Sequence, residues 1–408
     1  MGMLSVLIES RLAELPGQLA LAWPGGQAGS STAPVRLTLH RRRPLAWLAR
    51  GHIGKLGDAY VRGEMDIEGA LPVVMEVAAK LVGDPVARAP SASWLNHWHS
   101  QWRHNGRRSD EDVRFHYDVC DDFYALWLDR LRVYSCAYWR GGATTLAQAQ
   151  EAKLDHVCSK LKLQPGQRLL DIGCGWGALL LWAAEHHGVQ GLGITLSHNQ
   201  FSHVSRLIDE KSLRGRVEVR LADYRELPAG ANFDAIASVG MFEHVGRANL
   251  DAYFAQLRSL LKPGGLVLNH GITAGGTRNL QLGAGMGDFI EKHIFPGGEL
   301  EHVSHVSACL SNSGLELLDA ENLRPHYART LWAWSQALES QLARARELTS
   351  ESTVRAYRLY LAGCAMCFER GWLSLYQLLA SRPDGRLDTG PMRGAQSIYP
   401  FERSYMYR

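Results

Sequence analysis

The chain lacks any apolar run near the roughly 20 residues that a membrane-spanning helix requires, so contact with lipid is expected only from the surface. It also lacks an excess of one charge. Lys and Arg number 44 against 41 Asp and Glu, a net +3 that gives no argument for nucleic acid. Such a balance permits weak attraction to an anionic membrane, where local clusters matter more than the total. The start, MGMLSVLIESRLAEL, has neither the basic opening nor the small-residue cleavage site of a signal peptide. Seven cysteines, an odd number, then point to free thiols in a reducing compartment. Cys364 and Cys367 form a CxxC with no second CxxC, and zinc would need two further ligands at suitable spacing, so no metal is expected. These absences favour a cytoplasmic protein that meets the inner membrane face peripherally.

What is present is ordinary globular composition, 46% hydrophobic and 21% charged, over 408 residues, enough for two domains with substantial cores. The reading places a small α+β domain at 1–105 and a larger domain at 106–408. In the first, 34–40 alternates apolar and polar side chains as a strand does, while 44–50 and 71–82 have helical spacing. Residues 94–108 are basic and carry Trp94, Trp98 and Trp102, which suits a linker or a docking helix. From 146 the pattern becomes helix (146–161), strand (168–172), helix (178–187), then strands at 190–195, 217–221, 233–239 and 266–270, the last after a turn at 262–265. Strands alternating with helices imply α/β architecture with a parallel sheet and right-handed crossovers. Beyond 304 the chain reads as mainly helical, with long runs at 330–348 and 352–381.

Asp171, Gly173, Gly175 and Gly177 lie directly after a strand and open a helix. Glycines there let the backbone turn and approach a ligand, and the helix start offers free N–H groups to an anion. A nicotinamide site would place an acidic residue at the end of the second strand. Here that position reads Gly193, Ile194, Thr195, Leu196, Ser197, with Gln200 on the next helix and Asp223, Tyr224 after the third strand as an edge for adenine. Together these features resemble a Rossmann-like S-adenosylmethionine (SAM)-dependent methyltransferase domain.

Several blocks in one order carry a more specific likeness: Phe115 to Asp118 (FHYD), Tyr134 to Trp139 (YSCAYW), the glycine loop, Ser238 to Gly246 (SVGMFEHVG), Ile294 to Gly297 (IFPG) and Tyr327 to Leu331 (YARTL). Across 113–382 the chain resembles the cyclopropane-fatty-acyl-phospholipid synthase family, which includes the mycolic acid cyclopropane synthases. LGDAY at 56–60 with Gly63, Glu64 and 66–69 is similar to the lipid-engaging N-terminal domain of the bacterial phospholipid enzymes. The resemblance implies that a SAM methyl is added to the cis double bond of an unsaturated phospholipid acyl chain and that the cation then loses a proton to close a ring. It implies a bound bicarbonate as base, held by Cys136, Glu243, His270, Ile272 and Tyr327. His270 is expected to pair with Glu243, and like-charge repulsion to disturb Glu243's protonation. Cys364 is a further catalytic candidate, Tyr134 and Ser135 match positions that touch SAM, and His116, Tyr117 and Asp118 are expected to organise the loop over it. A homodimer is implied by analogy. Arg41, Arg42, Arg43, Arg50, Lys55 and Arg62 could hold anionic headgroups. Methyl addition without ring closure, small-molecule N-methylation and non-catalytic lipid binding remain the alternatives.

Overall fold

The computed structural model describes residues 3–86, 121–277, 282–384 and 402–407. The Trp94–Trp102 stretch and His116, Tyr117 and Asp118 lie outside them. The N-terminal part runs α1 (Met3–Ala13), β1 (Leu19–Trp23), β2 (Gly26–Gly29), β3 (Val35–Leu39), α2 (Arg43–Ala49), α3 (Ile53–Val61), β4 (Met65–Glu68) and α4 (Leu71–Val82). Val35, Leu37 and Leu39 are buried while Arg36 and Thr38 are less so, the period-2 pattern of a strand with one face on a core. The strands form a sheet of order β2-β1-β3-β4, in which β1 and β3 pair in parallel.

The larger part continues with α5 (Asp121–Ala125), α6 (Leu146–Lys160), β5 (Arg168–Ile172), α7 (Ala178–His187), β6 (Gln190–Thr195), α8 (His198–Glu210), β7 (Val217–Leu221), β8 (Phe233–Val239), α9 (Leu250–Leu260) and β9 (Leu261–Ala274). Then come α10 (Met286–His293), α11 (Val303–Asn312), β10 (Glu316–Asn322), α12 (Arg324–Ser340), α13 (Leu342–Leu348), α14 (Glu351–Glu369) and β11 (Leu373–Ser381). The second sheet has the order β10-β11-β9-β8-β5-β6-β7. Strands β5, β6, β7, β8 and β9 are parallel, and β10 and β11 add an antiparallel edge. β5 reads Leu169, Leu170, Asp171, Ile172, all buried, as a central strand covered on both faces should. The chain leaves β5 toward β6 and β7 on one side and returns as β8 on the other. The crevice at that switch point is where open α/β sheets bind ligands.

Three expectations are corrected. The run 352–381 is not one helix: α14 ends at Glu369, Gly371 takes a φ of 71°, and β11 follows, buried between β9 and β10. The run 330–348 is split at Gln341 into α12 and α13. The 262–265 turn is absorbed into β9, where pairing with β8 jumps from Phe233–Leu261 to Ala235–Leu266, a bulge.

The N-terminal sheet shares its core with the larger part. Leu56, Tyr60 and Met75 pack in one cluster with Met286, Ala362, Met366, Cys367 and Trp372. Polar contacts fix this contact face. Asp58 accepts from Lys292 at 2.9 Å and pairs with His293 at 2.6 Å, and Arg355 donates to the Tyr60 carbonyl at 3.0 Å and to Asp66 at 2.9 Å. Among the described residues no helix is long and apolar enough to cross a membrane.

Candidate active site

A cavity of about 520 Å³ opens at the switch point, a size suited to a small-molecule cofactor. Nine of the ten residues expected to touch SAM line it: Tyr134, Ser135, Asp171, Gly173, Gly175, Thr195, Gln200, Asp223 and Tyr224. The tenth, Gly177, does not. It caps α7 at a φ of 84°, and a Cβ there would lie 2.9 Å from Val204, so its smallness lets α7 approach α8.

Local bonds set the wall. The Gly173 and Cys174 amides both donate to the Ile194 carbonyl at 3.0 Å, tying the glycine loop to β6. Ser197 caps α8 by accepting the Gln200 amide at 3.3 Å, and the Thr195 hydroxyl donates to Gln200 Oε1 at 2.7 Å, which orients the Gln200 side chain. Asp223 accepts from Arg225 Nε at 2.8 Å and from its Nη2 at 2.5 Å, so this carboxylate is already engaged. Asp171 is buried. Burial pushes its carboxyl up to about 7 although nearby Lys153 pulls it back, and Oδ2 has no hydrogen-bond partner among the described residues. The cradle and the orphan carboxylate oxygen fit a ligand that carries an ammonium group.

Sequence reasoning missed Lys153. It lies on the buried face of α6, lines the cavity and donates to Ser135 Oγ at 3.1 Å. Gln150, one turn earlier, donates to the Ser135 carbonyl at 2.9 Å. Gln150, Lys153, His156 and Lys160 form a polar stripe at helical spacing, and only the fold shows that this stripe is buried.

Beyond the cavity lies an aromatic wall, and Tyr134 belongs to both. Its ring stands 5.5 Å from Tyr124, 5.3 Å from Trp127 and 5.5 Å from Trp334, and its hydroxyl donates to Tyr360 at 3.2 Å. Cys136 and Tyr327 sit in the same cluster, with Ile272 and Cys364 packed against it. Tyr327 lies 4.7 Å from Phe368, ring to ring. Cys136 is fully buried, which pushes its thiol up, and Sγ donates to the Ala137 carbonyl at 3.2 Å. Burial pushes Cys364 up to about 12, so it is a neutral thiol at physiological pH.

Glu243 follows β8 in a short 3-10 turn. Its Oε1 accepts the Ile272 amide at 2.7 Å, and Oε2 has no partner among the described residues. Its carboxyl is pushed up to about 7 by burial. His270 does not pair with Glu243. Its Nδ1 lies 3.2 Å from Gln377 Nε2, and its own Nε2 has no partner among the described residues. Burial first, then Lys153, Lys160 and His156, lower His270 to about 3, so it stays neutral. The structure therefore joins Glu243 to Ile272, and Ile272 packs against the cluster that holds Cys136 and Tyr327, as Cys364 does, while His270 is a neutral ring two residues earlier on β9.

Known proteins are similar to this chain. The family described as mycolic acid cyclopropane synthetase matches residues 104–378. "Probable fatty acid methyltransferase" of Pseudomonas putida is 42% identical over 401 residues, 97% of each chain. "Cyclopropane mycolic acid synthase 1" of Mycobacterium tuberculosis (strain ATCC 25618 / H37Rv) is 39% identical over 280 residues, 66% of this chain and 96% of that one. The solved structure of mycolic acid cyclopropane synthase CmaA1 complexed with SAH and CTAB superposes with a TM-score of 0.62 at 38% identity, covering 67% of this chain and 98% of that one. With the glycine cradle, the aromatic wall and the Glu243–Ile272 contact in place, this chain belongs to the mycolic acid cyclopropane synthetase family of SAM-dependent methyltransferases.

Proposed function

We propose that the protein alkylates the cis double bond of an unsaturated phospholipid acyl chain and closes a cyclopropane ring. The observation that carries this reading is Tyr134, one wall of the cofactor cavity and one wall of the buried aromatic cluster. When bound, SAM supplies the electrophilic methyl. An alkene is a weak nucleophile, so the chain's own task is to hold it close and in line. The apolar faces of Trp127, Trp334, Tyr134 and Phe368 suit an acyl chain and exclude the water that would trap a cation. Aromatic faces also favour positive charge nearby.

Loss of a proton then needs a base. Bicarbonate would give a partner to two buried atoms that have none among the described residues, Glu243 Oε2 and His270 Nε2, and would supply that basicity. Glu243 would orient it through Oε2 while Ile272 fixes Oε1, and His270 would donate from Nε2.

Phospholipid as substrate is supported by the N-terminal part, which the relative from Pseudomonas putida matches along nearly its whole length. Arg41, Arg42, Arg43, Arg50, Lys55 and Arg62 are all exposed there, suited to anionic headgroups at a membrane surface. A second reading, methyl addition without ring closure, is favoured by that relative's name.

Vesicles of monounsaturated phosphatidylglycerol incubated with SAM test both. Mass spectrometry should find a gain of one CH₂ in the acyl chain, and titration should find the double bond lost. The same mass gain with the double bond retained would establish the second reading, and unaltered lipid would exclude both.

A further inference from the structure

The cofactor cavity carries two buried opposite charges that the reaction does not use. Asp171 is 2% exposed with an unpartnered oxygen, and Lys153 is 2% exposed with one hydrogen bond among the described residues, to Ser135 Oγ. An ammonium can donate three. A buried charge left short of partners is costly, so such a group is retained where a ligand completes it. The other titratable groups facing Lys153 include Asp129, Cys136, Cys158 and the neutral His270. Asp129 is occupied by the Leu131 and Val133 amides at 2.9 Å each, and both cysteines are neutral thiols.

Position along the cavity supplies the second argument. Asp223 and Tyr224 follow β7 at one end and suit an adenine edge. Asp171, Ser135 and Lys153 stand at the β5 end, where the amino-acid end of the cofactor would fall. That end is a zwitterion and needs one anion and one cation.

We infer that Lys153, with Ser135, seats the carboxylate of the cofactor's methionine moiety, and that Asp171 receives its ammonium. This rests on SAM being the cofactor. Arg132 also lines the cavity, but its guanidinium lies 3.7 Å from Asp121, which makes it the rival anchor. Lys153's ammonium is pulled down to about 8 by burial, consistent with a site that gains from an arriving anion.

The test compares SAM with decarboxylated SAM, which keeps the sulfonium and ammonium but has no carboxylate, by calorimetric titration of the full chain. Wild type should prefer SAM. Lys153→Met should lose about 10- to 100-fold in SAM affinity, the scale of a charged hydrogen bond, with decarboxylated SAM unchanged within about twofold on the same grounds. Lys153→Arg should restore part of the preference, and Asp171→Asn should weaken both ligands. Ser135→Ala, which leaves the buried cation in place, should lose part of the preference and reads the site if Lys153→Met does not fold. Equal loss of both ligands in Lys153→Met, no loss of either, or a preference abolished by Arg132→Met instead would overturn the assignment. Wild type that binds neither ligand would refute the cofactor reading, a separate failure.

Discussion

Replacing Glu243 by glutamine keeps the shape of the side chain and removes its titration. The amide oxygen can still accept the Ile272 amide that Glu243 Oε1 accepts at 2.7 Å, and the NH₂ takes the place of the orphan Oε2. Burial raises the carboxyl from its ordinary 4.5 to about 7 in the folded chain. At roughly 1.4 kcal/mol per pH unit, ionising Glu243 costs about 3 kcal/mol more folded than unfolded. Below pH 4.5 both states are protonated and no penalty exists. As pH rises through 4.5 to 7 the unfolded chain loses its proton first, so wild-type stability falls, and above 7 the penalty is constant. Glu243→Gln lacks this dependence. Its stability relative to wild type should therefore grow between pH 4.5 and 7 by up to about 3 kcal/mol, measured by urea unfolding at several pH values. Turnover should drop by about 10²- to 10⁴-fold, the range for a group that handles or directs a proton in the transition state. SAM affinity should stay within about threefold, less than half of one charged hydrogen bond. Wild-type turnover in this variant would remove Glu243 from the mechanism, and a flat stability difference across pH would refute the burial argument.

Three further outcomes follow from the geometry. In Gly271→Ala the new Cβ would lie 2.1 Å from Phe242 and 2.9 Å from Glu243 Oε1, so the Glu243–Ile272 contact should break and turnover fall at least tenfold, the scale of one misplaced catalytic contact, with SAM binding retained by calorimetry. In Gly54→Ala the Cβ would meet the Gly285 carbonyl at 1.8 Å, and forcing that backbone contact apart should cost about 1–3 kcal/mol in thermal unfolding; an unchanged midpoint would contradict the packing described. SAM affinity should peak between pH 7 and 8, since Asp171 is protonated below about 7 and Lys153 loses its proton above about 8. Affinity that is flat from pH 6 to 9 would count against both charges.

The parallel strands were legible because each is short with a glycine or proline turn beside it, β5, β6 and β8 as largely buried runs and the edge strand β7 by its alternation. Residues 168–172, 190–195, 217–221 and 233–239 fold as read, and the glycine loop and Glu243 fall where a sheet fold places ligands. β11 was not legible. Its sequence, LSLYQLLAS, is rich in leucine and poor in β-branched residues, and it continues the apolar pattern of α14 without a proline. Only burial between two antiparallel neighbours makes it a strand. Lys153 was hidden for a related reason. A lysine within an amphipathic helix reads as its solvated face, and nothing local says that the polar stripe of α6 meets the sheet. Glu243's partner escaped for want of a local signal too, since the Ile272 amide is supplied by a strand 29 residues away.

Helix α14 has no solvent side along much of its length. Met366, Cys367 and nearby Trp372 face the N-terminal sheet, while Ala365 and Phe368 face the aromatic wall. A chain shortened to the family-matched region, 104–378, would uncover the first set and offer water an oily strip behind the reaction chamber. Relatives that do without the N-terminal sheet must carry a different surface there. Grafting between long and short members is therefore expected to need α14 exchanged together with the sheet that covers it.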